Sequence, residues 1–219
     1  MTTTFPGSPS TLAGGFIVMD ADGKVVLRTV AFQYNPDTLT RTVAPRAAKV
    51  ESGDRLEALR LIGPPVETIK LEIDLDATDR LASPERNPQT VSDGISPELA
   101  DLETIASPRA DDVDAANRMA QSGTLEVLPL PSPLVLLVLG ANRILPVRIT
   151  ELSMVEEAFD PRLNPIRARV SVGLRVLSVD DLAFGTKGAE LFMAMMRRRE
   201  KLATRKPANL QSLGLDRVP

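Results

Sequence analysis

From Ile166 to Val176 the chain alternates without a break. Ile166, Ala168, Val170, Val172, Leu174 and Val176 fall on one side, and Arg167, Arg169, Ser171, Gly173 and Arg175 on the other. A period of two sustained over this length fits an extended strand with one face buried and the other wet. Such a strand belongs to a sheet, and the segments that follow make the expected fold mainly β. It is entered through FDPRLNP, a loop with two prolines.

Other segments supply the partners. In ETIKLEIDLDATD, residues Ile69, Leu71, Ile73 and Leu75 alternate with Lys70, Glu72, Asp74 and Asp76, a second half-buried strand. GFIVMDADGKVVLRTVAFQY reads as two strands about the turn Asp20-Ala21-Asp22-Gly23, because an Asp-Gly step between β-branched runs favours a hairpin. Leu39 to Val50 continues as an extended edge segment. LVLLVL is apolar throughout, so both of its faces should be covered. Gly140-Ala141-Asn142 makes a turn into the long strand ILPVRITELSMVEEAF, where Pro146 should lie on an edge or at a bulge because it cannot donate to a ladder.

Two regions break the pattern. Residues 80–123 are rich in Pro, Ser, Asp and Ala and read as an inserted loop, poorly ordered apart from one short helix. Ser96 is its expected N-cap, with Pro97 in the first turn and Leu99, Leu102 and Ile105 as its apolar positions. Asp180 to Lys206 has helical periodicity through Leu182, Leu191, Phe192, Met195, Met196 and Leu202, and Arg197-Arg198-Arg199 near its end suit the helix dipole. The domain organisation expected is a flexible arm over 1–14, a β domain over 15–180 carrying the insertion at 80–123, and a C-terminal helix and tail over 181–219.

Composition narrows the chemistry. The 219 residues include no Cys and no His. That removes disulfides, thiolate zinc sites, Cys nucleophiles, Ser-His triads and histidine-ligated metals. With 3% aromatic residues and a net charge of -3, neither base stacking nor attraction to nucleic acid or an anionic membrane is favoured. The first residues, MTTTFPGSPSTLAGGFIVM, lack a basic n-region and a sustained apolar stretch, and the expectation is a cytoplasmic protein with no signal peptide or transmembrane segment. Asp20 to Gly23 resembles the start of a calcium loop, but the third acidic position and the distal Glu are missing. Glu72, Asp74 and Asp76 read as a solvated strand face rather than a metal cluster. Acid/base work could use Glu156-Glu157, or Asp160 with Glu151. Adjacent residues on a strand point to opposite faces, which makes the first pair a poor one.

The order of motifs is itself informative. FQYNPDTLTR follows a first hairpin; IKLEIDLDATD, a variable insertion, PLVLLVLG, a long strand and FDPRLNPIRARVSVGLRVL come after it. This order resembles the N-terminal domain of the tube-type baseplate proteins of contractile injection systems, which are phage-tail-like particles. The resemblance spans residues 15–180. It is carried best by Phe32-Gln33-Tyr34-Asn35-Pro36 and Asn164-Pro165-Ile166-Arg167-Ala168. It departs from the family at Leu139, where an aromatic residue usually precedes Gly140, and no LysM-like repeat follows residue 180.

The resemblance implies a two-sheet sandwich or partial barrel completed by ring oligomerisation, with a short inserted helix and a C-terminal helix. It implies an adaptor ring joining the spike hub to the inner tube. Its partners would be copies of itself, six in the family's pattern, together with the inner-tube protein, the spike or hub and other baseplate proteins. An inner-tube or tube-cap subunit is the alternative, and a small carboxylate enzyme or glycan-binding module a more distant one. No catalytic residue, cofactor, metal, nucleic acid or membrane is implied. Arg167, Arg169 and Arg175 would face a lumen or a subunit seam. On the residues alone, a solvent-exposed sheet explains the same alternation.

Overall fold

The computed structural model describes residues 12–47, 60–122, 132–205, 210–211 and 214–218. Residues 1–11 of the expected arm, the continuation of the edge segment from 48 to 50, the run 124–131 and part of the C-terminal tail lie outside them. Seven strands form one antiparallel sheet: β1 (Gly15–Met19), β2 (Val26–Ala31), β3 (Leu39–Ala44), β4 (Val66–Asp76), β5 (Leu134–Val138), β6 (Ile144–Phe159) and β7 (Pro165–Val176). Their order is β2-β1-β5-β6-β7-β4-β3. The mainly β expectation holds, and the alternating stretch that prompted it becomes β7, paired with β4 on one side and β6 on the other.

This single sheet folds over on itself. The side chain of Gln33, just past β2, donates to the carbonyl of Asp76 at 2.6 Å, and its Oε1 accepts from the Asp76 N–H at 3.0 Å. In a flat sheet β2 and β4 would be five strand spacings apart, about 24 Å. The bend falls within β6. Its first residues pair with β5 as far as Val147, its register shifts between Ile149 and Glu151, and its remainder pairs only with β7 among the described residues. A long strand that serves both halves and turns the corner at a bulge is the usual solution for such packing. Where two sheets were expected, one continuous sheet is found.

The inner faces of the two halves merge into one core. Phe16, Val18, Val135, Leu137, Leu145 and Val147 from one half meet Ile69, Leu71, Ile73, Leu75, Val170, Val172 and Leu174 from the other. The apolar phase of β4 and β7 is therefore the inside, as their alternation required. LVLLVL is buried on both faces: Val135 and Leu137 belong to the main core, while Leu134 and Leu136 form a second cluster with Met19.

Pro146 differs from its expected place. It lies inside β6, opposite Leu136 of β5. Its carbonyl accepts from Leu177 N–H just beyond the end of β7, so its missing N–H also faces the point where the β7 ladder stops.

The insertion is ordered, contrary to its reading as mostly loop. It contains α1 (Thr78–Leu81), a short 3₁₀ turn (Pro84–Arg86), α2 (Pro88–Asp93), α3 (Ser96–Ala106) and α4 (Ala110–Gln121). Ile95, Leu99, Leu102 and Ile105 recur at helical spacing and are buried in the core, which orders the segment despite its polar composition. The cap falls on Ile95 rather than Ser96 and has no side-chain hydrogen bond. The C-terminal helix α5 is shorter than its periodicity suggested, Lys187–Ala203, because turns occupy the residues before the Thr186 N-cap. Phe192 enters the core, with Met193, Met195 and Met196 packed against it.

Candidate functional site

On the outer face of β4, β6 and β7 the polar phase of each strand meets the others. Arg169 faces Asp74 across the ladder with Nε 3.4 Å from Oδ1, and Arg167 faces Asp76 at 3.6 Å. Both arginines also reach Glu157 of β6, at 3.9 and 3.8 Å. Arg175 instead binds Asp181 at 2.8 Å, although Arg148 of β6 lies directly opposite it. The three arginines singled out by the alternation thus share the outer face, where intrachain carboxylates meet their charge. These pairs are half exposed, so each contributes little to stability.

The first motif is a clamp. Phe32 packs edge-on against Phe16, ring centres 5.3 Å apart. Gln33 holds the end of β4, as described above. Asn35 Oδ1 accepts from Gly14 N–H at 2.7 Å, and its Nδ2 donates to the Leu12 carbonyl at 2.9 Å. Tyr34, between them, is 46% exposed. Pro36 follows in the turn toward β3.

The second motif does the same for the insertion. Asn164 Nδ2 donates to the Ser92 carbonyl at 2.8 Å and to Asp160 Oδ2 at 2.9 Å. The Pro165 carbonyl accepts from Ile95 N–H at 2.9 Å, and the Ile166 carbonyl from Ala77 N–H at 2.9 Å. Gly94 is required there: it has φ +61°, and a Cβ would come within 2.1 Å of the Pro165 oxygen. Ala168 is buried opposite Leu75.

Asp160 organises the turn between β6 and β7. Its Oδ1 accepts from the N–H groups of Arg162 and Asn164, at 2.7 and 2.9 Å. Burial pushes its carboxyl up, but the Asn164 side chain, these two amides and the Arg162 charge outweigh that and hold it below the usual carboxylate range. Both oxygens of Asp160 are thereby engaged in structure. Glu156 and Glu157 fall in opposite phases: Glu156 opposes the inward Ala168, and Glu157 reaches the outward arginines. Among the described residues no group of three or more acidic side chains is placed to hold a metal ion. At the Asp20 turn the carboxylate is spent on the backbone N–H groups of Lys24 and Val25, at 2.6 and 3.0 Å.

One charge centre escaped the sequence reading. Glu67 lies in the apolar phase of β4 and is 2% exposed. Arg199 of α5 binds it with two nitrogens, at 2.7 and 2.9 Å, and Arg41 of β3 stands 3.6 Å away. This bidentate pair pins the end of α5 to the sheet. A carboxylate in step with Ile69 and Leu71 was the available signal.

The sheet ends on two strands with no further partner among the described residues, β2 and β3. Val25, Val26 and Leu27 at the start of β2 are each more than half exposed, as are Leu61 and Ile62 beside β3's continuation.

The sequence matches no protein-family model and no curated protein. Among solved structures it is similar to a chain of the tail of an empty gene transfer agent particle with sixfold symmetry, at 14% identity, TM-score 0.29, covering 74% of this chain and 90% of that one. A chain from the virion of a native gene transfer agent particle gives 12% identity and TM-score 0.27, with the same coverages. At TM-scores this low the likenesses establish neither family nor function. No helix among the described residues is long and apolar enough to cross a membrane.

Proposed function

We propose that the chain is a structural subunit of a phage-tail-like contractile particle, an adaptor ring that joins the spike hub to the inner tube and templates the first tube layer. The observation that carries the reading is the folded-over sheet whose order ends on β2 and β3. Unpaired strand edges are a standing invitation to pair with another chain, and ring closure removes them. Joining β2 of one copy to β3 of the next would continue the sheet from subunit to subunit. The motif order stated above supplies the particle and the layer. Arg167, Arg169 and Arg175 would then line the lumen or a seam, with their intrachain partners keeping that surface close to neutral.

Size-exclusion chromatography and negative-stain microscopy, on the protein alone and with its tube partner, test this. Closed rings are expected, sixfold in the family's pattern. A monodisperse monomer that never enters a ring or particle would refute it. An inner-tube or cap subunit would share the fold, and the copy number per particle separates the readings: one or a few rings for an adaptor, many for a tube.

A further inference from the structure

Two arginines face each other across the ladder: Arg148 of β6 stands opposite Arg175 of β7. Like charges in that position repel and destabilise the sheet. Arg175 is answered by Asp181 at 2.8 Å. The other oxygen of Asp181 accepts from the N–H and the hydroxyl of Ser178, at 3.0 and 3.2 Å, so that carboxylate is fully engaged. Arg148 has no ion-pair partner among the described residues. Arg175 Nε is buried and has no hydrogen-bond partner among them either. The local balance is one uncompensated positive charge.

That charge stands on the wall of a recess. β5 pairs with β6 only as far as Val147, and where the two strands part a cavity of about 440 Å³ opens, lined in part by Arg148. Its apolar lining comes from Ile105 of α3, Val135 of β5, Ile149 of β6, and Leu177 and Leu182 beyond β7. Two acidic residues also line it, and both are matched: Asp181 as above, and Asp22, which lies 3.1 Å from Lys24. α5 begins at the same wall, with Thr186 and Gly188, so the positive end of its dipole has the sign of Arg148. An apolar cavity with one free cation on its wall has the form of a site for an anion that carries a hydrocarbon body.

We propose that this recess binds a carboxylate with an aliphatic body, the carboxylate on Arg148 and the body against Ile105, Ile149 and Leu182. A guanidinium and a carboxylate match in a planar pair of hydrogen bonds, and the apolar wall adds burial that a bare inorganic anion could not use. Such a group belongs either to a free aliphatic acid or to the last residue of another polypeptide, and the chemistry at the site is the same for both. The inference goes beyond the ring reading and does not depend on it.

Octanoate is the probe, followed by isothermal titration and by the melting temperature, which it should raise. Octanol has the body without the charge; acetate and inorganic phosphate have the charge without the body. Each should bind at least about tenfold more weakly than octanoate. Arg148 is exposed, so Arg148→Gln should fold as the wild type does, and its ligand-free melting temperature should stay level or rise because the like-charge pair is gone. It should lose at least about tenfold in octanoate affinity, whereas Arg197→Gln, at an exposed arginine of α5, should lose none. Acetyl-alanyl-leucine as the free acid separates the two sources: tighter binding than octanoate assigns the site to a chain end, weaker binding to a free acid, and its amide should bind no better than octanol. No binding of either acid, any uncharged control binding as well as its acid, acetate or inorganic phosphate binding as well as octanoate, or undiminished binding by Arg148→Gln overturns the proposal.

Discussion

Strand β4 carries two kinds of carboxylate. Asp74 and Asp76 point outward and meet Arg169 and Arg167 across the ladder at 3.4 and 3.6 Å. Glu67 points inward and meets Arg199 at 2.7 Å, with almost no exposure. The chemistry is the same and the strand is the same; only the phase differs. Outside, water already solvates each charge, and pairing adds little. Inside, desolvation makes the lone charge expensive, so removal of either partner is felt in full. The outer ladder thus adds little to the fold, whereas the inner pair is committed to holding α5.

Substitutions can break this contrast, and the core beneath sets the upper end of the scale. Ile73→Ala, in β4 and 1% exposed, should lower stability by about 3–4 kcal/mol in urea unfolding. Arg199→Ala leaves Glu67 buried without its bidentate partner and should cost about 3 kcal/mol, with α5 amides losing hydrogen-exchange protection. A loss under about 1 kcal/mol would show that Arg41 takes over the carboxylate. Asn164→Ala removes the tie between the β6–β7 turn and α2 and should cost about 1–2 kcal/mol, loosening the insertion first. Arg169→Ala should fall within about 0.5 kcal/mol of wild type in the monomer. If that same variant weakens ring assembly, the outer ladder belongs to a seam.

Acid sharpens the comparison further. The Thr78 side chain and N–H, with a smaller help from Arg167, hold the Asp76 carboxyl below its ordinary range against the opposing effect of burial. Asp20, bound by the Val25 and Lys24 N–H groups, shifts the same way. A carboxyl with a lowered folded-state pKa contributes stability that is present above the ordinary carboxylate range and lost as pH falls through the folded value. Stability should therefore be level near neutrality and decline below about pH 4. Asp76→Asn should make the acid limb of a stability–pH curve shallower.

Much of this architecture was legible because period two is a local property. β7, β4, the buried β5 and the first hairpin follow from residues a few positions apart. The fold-over of the sheet did not show, because it depends on a bulge in β6 and on Gln33 reaching a strand 43 residues away. The ordered insertion was obscured by its polar composition, though Leu99, Leu102 and Ile105 already marked a helical stripe. Arg199 could not be assigned to Glu67, since 132 residues separate them. The arginines of β7 were visible at once, but the carboxylates that meet them come from strands on either side. The motifs FQYNP and NPIRA looked like markers only; the side chains of Gln33, Asn35 and Asn164 and the carbonyls of Pro165 and Ile166 prove to be fasteners of the fold.

The proposed ring stands or falls on the strand edges β2 and β3 being paired by other copies. Hydrogen exchange followed by mass spectrometry, on monomer and on assembled material, reads those edges directly. Peptides covering Val26–Ala31 and Leu39–Ala44 should exchange quickly in the monomer and become protected on assembly, while β7 stays slow in both. Assembled particles in which both edge peptides exchange as fast as in the monomer would contradict it.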